Sequence, residues 1–191
     1  MTDRPNFYII AGCNGAGKTT ASYTVLPEVL DCREYVNADE IARGLSPFNP
    51  KEMAIEAGRL MIDRMENLIR ARESFSIETT LATRYYSKII RRAQKAGYVV
   101  TLLFFWLPSP EMAQERVRYR VATGGHDIPA QVIQRRYWLG LQYLFDIYTP
   151  IVDRWSLYDN TQAMSPIVVR NTVVDAPKLQ KIKELCLNQK K

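Results

Sequence analysis

The stretch Gly12-Cys13-Asn14-Gly15-Ala16-Gly17-Lys18-Thr19 decides how this chain is interpreted. It fits the phosphate-binding pattern G-x-x-x-x-G-K-[ST]. It lies between an apolar, β-prone run, Phe7–Ala11, and a predicted helix from Thr20 to Leu30. A strand, a glycine-rich turn and a helix are the setting in which this pattern forms a nucleotide site. The sequence therefore predicts a phosphate-binding loop, or P-loop.

Each residue type in the loop has a physical reason to be there. Glycines let backbone N–H groups point at phosphate oxygens, and the N-terminus of the next helix adds partial positive charge. We expect Lys18 to reach the β- and γ-phosphates and Thr19 to offer its hydroxyl to Mg²⁺. The expected nucleotide contacts share one position, the loop and the first helical turn: Gly12, Asn14, Gly15, Ala16, Gly17, Lys18, Thr19 and Thr20.

Length and composition predict one ordinary globular domain over residues 1–191. The chain is 47% hydrophobic and 24% charged, as is usual for soluble proteins. The longest apolar run, 99–107, is too short to cross a bilayer and predicts a buried strand. The three cysteines are scattered, which predicts neither a disulfide framework nor a zinc site and favours the reducing cytoplasm.

Helical and strand patterns alternate along the chain. This predicts an α/β fold with three layers, a mainly parallel sheet with helices on both faces. The predicted strands are Phe7–Ala11, Tyr35–Asn37, Phe75–Glu78, Val99–Leu107, Ser156–Asp159 and Ile167–Arg170. After the P-loop helix, further helices are predicted from about Lys51, Tyr85, Pro110 (to about Val121), Ala130 (to about Tyr148) and Pro177.

The net charge of +6 is concentrated between residues 84 and 136, which suggests a polyanionic ligand. A nucleotide satisfies this as well as a nucleic acid does. Two predicted helices in the region of about 110–150 flank the turn at Gly124-Gly125. They carry Arg116, Arg120, Arg135 and Arg136. We expect a small helical lid whose arginines stabilise the transferring phosphoryl group. The alternative is a solvated basic face.

Asp39 follows the second predicted strand. Ligands of open α/β sheets bind outside the carboxyl ends of the strands, so this carboxylate is expected near the γ-phosphate. It could accept the proton of an attacking hydroxyl as a general base. The alternative is a structural role, in which Asp39 caps a short helix at Glu40–Arg43.

Glu78 ends the third predicted strand and precedes Thr79 and Thr80. It could orient water on Mg²⁺ or hold substrate hydroxyls, and the alternative is a buried acid paired with an arginine. No predicted strand ends in a plain apolar run followed by Asp. That absence favours small kinases over motor and transport ATPases, which use such an acid to hold the metal.

Four segments in this order resemble the zeta-toxin-like P-loop kinases. They are the loop 11–20, Asn37–Ala42, Ile77–Thr80, and Gly124–Pro129 together with Arg135-Arg136-Tyr137. The matches span residues from about 6 to 145. The resemblance implies a P-loop NTPase fold and ATP/Mg²⁺-dependent transfer of the γ-phosphate to a hydroxyl.

The resemblance also implies residue roles and partners. Lys18 would bind phosphate, Asp39 would be the general base, and Glu78 and Thr79 would lie on the substrate side. Arg120, with Arg135 or Arg136, would bind the phosphates. The acceptor of characterised zeta toxins is UDP-N-acetylglucosamine, and an antitoxin is a further expected partner. The alternatives are a nucleotide or polynucleotide kinase, or an ATP-binding switch without catalysis; a nucleic-acid or membrane partner is not expected.

Overall fold

The computed structural model describes residues 4–28, 30–125 and 127–189, and for 24–28 it describes the backbone alone. His126, within the predicted Gly124–Pro129 turn, lies outside these residues. Helices and strands alternate along most of the chain. In order they are β1 (Asn6–Gly12), α1 (Lys18–Glu28), β2 (Glu34–Val36), α2 (Ala38–Leu45), α3 (Ala54–Ala71), β3 (Phe75–Thr79), α4 (Tyr86–Lys95), β4 (Val99–Trp106), α5 (Pro110–Ala122), α6 (Ala130–Tyr143), β5 (Arg154–Asp159), β6 (Ser165–Val169), β7 (Thr172–Val173) and α7 (Ala176–Asn188).

The described strands form one sheet in the order β2-β3-β1-β4-β5-β6-β7. The pairs β2–β3, β3–β1, β1–β4 and β4–β5 are parallel, whereas β5–β6 and β6–β7 are antiparallel. The prediction of an α/β fold with a mainly parallel sheet is confirmed. The hairpin of β6 and β7 at one edge is the antiparallel part.

The sheet is covered on both faces. Successive side chains of a strand point to opposite faces, and every residue of β1 and β4 after the first is buried. Phe7 and Phe75 stack across β1 and β3 with ring centroids 4.4 Å apart, and Tyr98 meets Phe75 edge-on. The continuous apolar runs of these strands therefore form a core between two helical layers.

Apart from shifts of one to three residues at several ends, the predicted elements differ from the observed ones in three places. The strand β7 has two exposed residues and gave no periodic signal. The short helix at Glu40–Arg43, which belongs to the alternative role of Asp39, is the longer α2. The helix predicted from Ala130 to Tyr148 is α-helical to Tyr143 and continues as a single π-helical turn, Leu144–Tyr148.

That π-helical turn belongs to a close contact between α6 and the loop after β3. Gly140 of α6 packs on the backbone of Thr80, and a Cβ at Gly140 would lie 2.4 Å from the Thr80 carbonyl oxygen. The hydroxyl of Tyr148, a fully buried residue, donates to the carbonyl of Thr83. The helix α6 is thereby held against the loop that follows β3.

Gly140→Ala tests this close approach. Alanine normally stabilises a helix by about 1 kcal/mol relative to glycine. Here the added methyl group meets a backbone carbonyl, and overpacking of this kind typically costs about 1–3 kcal/mol. We expect a net loss in the free energy of unfolding, measured by urea denaturation.

Gly58→Ala is the matched control. Gly58 lies within α3, and a Cβ there would have no heavy atom within 4 Å beyond its chain neighbours and the adjacent backbone of its own helix. We expect this variant to gain about 1 kcal/mol from helix propensity alone. Equal stabilisation by both substitutions would show that α6 does not rest on the backbone of Thr80.

Candidate functional site

The segment between β1 and α1 curls into a compact loop. The N–H of Ala16 donates to the carbonyl of Cys13 at 3.2 Å. Gly15 has φ of +81°, and a Cβ there would lie 2.7 Å from the carbonyl oxygen of Ala113 in α5. Only glycine satisfies both the left-handed conformation and this close approach. The loop is therefore shaped by its own sequence and by its packing against α5.

Lys18 opens α1 and is 6% exposed. Its Nζ donates to the carbonyl of Cys13 at 3.0 Å and lies 3.7 Å from Oε1 of Glu78. An ammonium group carries three donors, so these contacts hold the charge beside the loop and leave capacity for a phosphate oxygen.

Glu78 lies next to the loop because β3 pairs with β1, with Glu78 opposite Ile10. Its Oε2 accepts hydrogen bonds from the Thr19 hydroxyl at 2.9 Å and from the Tyr35 hydroxyl at 2.5 Å. Its ion-pair partner is Lys18. The alternative of a buried acid paired with an arginine is therefore wrong, since the pairing cation belongs to the P-loop.

The oxygen atoms of Thr19 and Glu78 fit Mg²⁺. Magnesium takes oxygen ligands, and proteins usually bind it through one or two carboxylates together with substrate phosphates. A carboxylate beside the P-loop lysine would repel a triphosphate unless a cation lay between them. Within residues 4–28, 30–125 and 127–189, no cluster of three or more His, Cys, Asp or Glu side chains could hold a metal alone.

Asp39 lies in the first turn of α2, and Asn37 is the N-cap of that helix. The Asn37 side-chain oxygen accepts the N–H of Asp39 at 2.8 Å. The alternative in which Asp39 caps a helix at Glu40–Arg43 is therefore wrong. Its carboxylate has no capping task and instead faces the cleft described below.

Thr79, the residue after Glu78, also lines the cleft, but its hydroxyl already accepts a hydrogen bond from the backbone. The Thr79 Oγ1 accepts the N–H of Leu81 at 3.0 Å, in a turn where Leu81 has φ of +61°. The hydroxyl proton of Thr79 can still be donated to a ligand.

Two of the four lid arginines form hydrogen bonds in or next to the P-loop. Arg136 of α6 is half-buried, and its Nη1 donates to Oδ1 of Asn14 at 3.4 Å. Arg116 of α5 is half-buried, and its Nη2 donates to the carbonyl of Thr161 at 2.7 Å. Both side chains form part of the cleft wall, which argues against a purely solvated basic face.

The electrostatic surroundings of Arg136 connect the two sides of the site. Burial lowers the pKa of its guanidinium, the carboxylate of Asp39 opposes that change, and Arg135 adds to it. Arg135 and Arg120 are exposed but line the same cleft. Positive charge is thus assembled opposite Asp39.

Asp159, at the end of β5, is directed elsewhere. Burial alone would raise the pKa of its carboxyl, but hydrogen bonds from Lys178 and Thr161 outweigh it and lower the pKa. The Lys178 ammonium lies 2.6 Å from the Asp159 carboxylate, and the next residue, Asn160, donates to the carbonyl of Ala16 at 2.8 Å. This turn therefore supports the P-loop from behind.

A single cleft of about 930 Å³ collects these groups. It lies at the carboxyl ends of β1, β2 and β3, where open α/β sheets bind ligands. Of the residues expected from the sequence, it is lined by Asn14, Gly15, Gly17, Lys18, Thr19, Thr20, Asp39, Glu78, Thr79, Arg120, Arg135 and Arg136. Gly12 and Ala16 are buried and do not line it.

The sequence analysis missed Tyr35, Asn160 and Thr161. Tyr35 belongs to the strand before Asn37, and alternation along β2 places it on the face of the sheet that carries Glu78. That placement requires the pairing register of two strands that are distant in the chain. Asn160 and Thr161 lie more than 140 residues after the P-loop. Asn160 donates to the carbonyl of Ala16, and the Thr161 carbonyl accepts from Arg116. Local sequence patterns carry no signal for such contacts.

Among the described residues, no helix is both long and apolar enough to span a bilayer.

Comparisons with known proteins agree on the family. Residues 1–143 match the family model described as Zeta toxin. An uncharacterized protein of Haemophilus influenzae is 29% identical over 137 residues, which are 72% of this chain and 94% of that protein.

Solved structures share the fold. The structure described as AvrRxo1-ORF1:-ORF2 with ATP has a TM-score of 0.75 at 18% identity, covering 95% of this chain; the chain spans 64% of that longer chain. A structure of the PezAT toxin–antitoxin system of Streptococcus pneumoniae has a TM-score of 0.66 at 16% identity, covering 98% and 88% of the two chains. A gluconokinase of Sinorhizobium meliloti has a TM-score of 0.54 at 16% identity, covering 97% and 95%.

The P-loop, the flanking acids and arginines and the match over three quarters of the sequence lead to one assignment: the chain belongs to the zeta toxin family, on a P-loop kinase fold.

Proposed function

We propose that this protein is an ATP-dependent kinase that transfers the γ-phosphate to a hydroxyl group of a small molecule. The observation that carries the proposal is the composition of the cleft. The P-loop lysine, a Thr–Glu pair that fits Mg²⁺, a carboxylate on α2 and arginines from α5 and α6 share one space of about 930 Å³. Ligand sites usually measure about 300–1,000 Å³, so this cleft has the size for a nucleotide beside an acceptor.

In this mechanism the P-loop and its neighbours bind the triphosphate. Backbone N–H groups and Lys18 hold the phosphate oxygens, while Thr19 and Glu78 provide the protein oxygens for Mg²⁺. Bound magnesium would neutralise part of the negative charge of the triphosphate. ATP as the nucleotide is supported by family membership and by the AvrRxo1 structure that is described with ATP.

The other wall of the cleft carries out the transfer. Asp39 accepts the proton of the attacking hydroxyl, which then bonds to phosphorus as the bond to the ADP oxygen breaks. Arg120, Arg135 and Arg136 stabilise the charge on the phosphoryl group in flight. The exposure of Asp39 at the cleft surface supports this role, because a base must reach the acceptor.

For the acceptor we propose a nucleotide sugar such as UDP-N-acetylglucosamine, on the basis of the family alone. The PezAT structure comes from a toxin–antitoxin system, so a protein that inhibits the kinase is the corresponding partner to seek. The need for ATP favours the cytoplasm as the place of action.

The acceptor is tested directly. The protein is incubated with Mg²⁺, labelled ATP and a bacterial metabolite extract, and in parallel with UDP-N-acetylglucosamine and with an oligonucleotide that has a free 5′-hydroxyl. A new labelled small molecule supports the kinase proposal, and its mass identifies the acceptor. Label on the oligonucleotide instead would make the protein a polynucleotide kinase. Slow phosphate release without a labelled product would favour a nucleotide switch.

Asp39→Asn separates binding from transfer. The amide keeps the size of the side chain but cannot accept the proton, and a general base typically contributes about 10²–10⁴-fold. We expect phosphate transfer to fall by about that factor while ATP affinity, measured by calorimetry, stays unchanged. Lys18→Ala, in contrast, should abolish transfer because it removes the cation that contacts the phosphates.

The control for Asp39→Asn is Asp63→Asn, the same change at an exposed position of α3 outside the cleft. It should transfer phosphate at the parent rate. Parent-level transfer by Asp39→Asn would overturn the assignment of the base.

Arg136→Lys tests whether the α6 wall needs a guanidinium rather than only a positive charge. Lysine keeps the charge but loses the planar fork that can bind Asn14 and a phosphate together. Loss of one such stabilising donor typically costs about 10²–10³-fold in kcat. Arg118→Lys, an exposed position of α5 that does not line the cleft, is the control and should leave kcat unchanged. Equal kcat for both variants would remove Arg136 from the reaction.

A further inference from the structure

A continuous chain of hydrogen bonds links the P-loop to the helix that carries Asp39. It runs from the Thr19 hydroxyl to Glu78, from Glu78 to the hydroxyl of Tyr35, and from Tyr35 to the side-chain amide of Asn37. The oxygen of that amide accepts the N–H of Asp39 at 2.8 Å. Tyr35 stands at the centre of this chain, and the mechanism above gives it no role.

The backbone N–H of Asp39 fixes which group donates and which accepts in every hydrogen bond of this series. A backbone N–H can only donate, so the Asn37 oxygen must accept from Asp39. The Asn37 nitrogen is then the group that faces Tyr35, and it donates to the Tyr35 oxygen at 2.9 Å. The single proton of the Tyr35 hydroxyl is left for Glu78, whose carboxylate can only accept.

The Tyr35 hydroxyl is held from two sides, because it donates to Glu78 and accepts from the Asn37 side-chain nitrogen. The ring of Tyr35 is placed by the sheet and by an edge-on contact with Tyr23, with ring centroids 6.1 Å apart. The hydroxyl is therefore a fixed donor on a supported ring.

The Glu78 carboxylate also accepts a hydrogen bond from the Thr19 hydroxyl. Oε2 of Glu78 lies 2.5 Å from the Tyr35 hydroxyl and 2.9 Å from the Thr19 hydroxyl. When Thr19 donates its only proton to Glu78, the lone pairs of its oxygen remain for a cation. Rotation of Glu78 would break this arrangement, and the hydrogen bond from Tyr35 opposes that rotation.

The strand β2 makes this anchoring more important. It has three residues and, among the described strands, pairs with β3 alone at the edge of the sheet. So short an edge strand has few ladder bonds to set its position. The bonds of Tyr35 and Asn37 therefore hold both Glu78 and the N-terminus of α2 in place.

We propose that Tyr35 is a positioning residue, whose hydroxyl orients Glu78 so that Thr19 and Glu78 together present their oxygens to the magnesium of the bound nucleotide. The inference rests on the proposed kinase function and deepens it. Tyr35 touches neither nucleotide nor acceptor in this role; it acts through Glu78.

Tyr35→Phe is the direct test, because it removes one oxygen atom and keeps the ring. Groups that orient metal ligands typically contribute about 10–100-fold to metal affinity. We expect the affinity for Mn²⁺, measured by electron paramagnetic resonance in the presence of adenylyl imidodiphosphate, to fall by about 10-fold or more. The affinity for the same nucleotide without metal should stay unchanged.

Tyr98→Phe is the matched control. Its hydroxyl lies within 2.9 Å and 2.8 Å of the carbonyl oxygens of Leu68 and Glu73, in the core and outside the cleft. This variant should lose stability to unfolding and keep parental Mn²⁺ affinity. ATP turnover provides a second readout: a higher Mg²⁺ concentration should restore the turnover of Tyr35→Phe and should not restore that of Asp39→Asn.

The outcomes are distinguishable. Parental Mn²⁺ affinity in Tyr35→Phe would overturn the positioning role and leave the proposed function standing. An equal loss of Mn²⁺ affinity in Tyr98→Phe would reduce the effect to general destabilisation and also overturn it. A parent protein that binds no nucleotide with Mn²⁺ would overturn the proposed function and this inference together.

Discussion

The parallel pairing of β1 with β3 is the constraint on which the site depends. It sets Glu78 opposite Ile10, which lies in β1 just before the P-loop. Side chains alternate between faces along a strand, so a register shift of one residue would carry Glu78 to the other side of the sheet. Lys18, Thr19 and Tyr35 would then lose the acceptor that they share. The register is held by the buried aromatic stack of Phe7 on Phe75 at the far end of the two strands.

The helix α6, which the sequence predicts as part of a small lid, is packed closely against the loop after β3. The helix α6 carries Arg135 and Arg136, but Gly140 rests on the backbone of Thr80 and Tyr148 bonds to Thr83. Thr80 and Thr83 lie in the loop that directly follows Glu78 and β3. A displacement of α6 would therefore move the end of the strand that holds the Thr19 contact, so the arginine wall and the P-loop side act as one packed unit.

Sequence reasoning reached the parts of this site that are contiguous or that end a strand. The P-loop is one short segment, and Asp39 and Glu78 are polar residues where apolar strands stop, so a general rule about open sheets brings them together. The roles of Asn37 and Tyr35 depend on which strands are neighbours and in what register, which no local pattern contains. The same limit applies to the N-cap of α2: both Asn37 and Asp39 are good capping residues, and only the backbone geometry selects Asn37.

The two halves of the cleft differ in their chemistry. In the proposed kinase, Lys18, Glu78 and the arginines of α5 and α6 form the phosphate half and would recognise charge through charge-assisted hydrogen bonds. The cleft is also lined by Met61, Ala82 and Tyr86, which supply a thioether, a methyl group and a phenol ring. Under the proposed function, ligand contacts with these three residues would rest on burial and on neutral hydrogen bonds, which depend on the shape of the ligand. Under the proposed function, phosphate binding and acceptor choice would therefore be physically separable, since each draws on a different set of side chains in the same cleft.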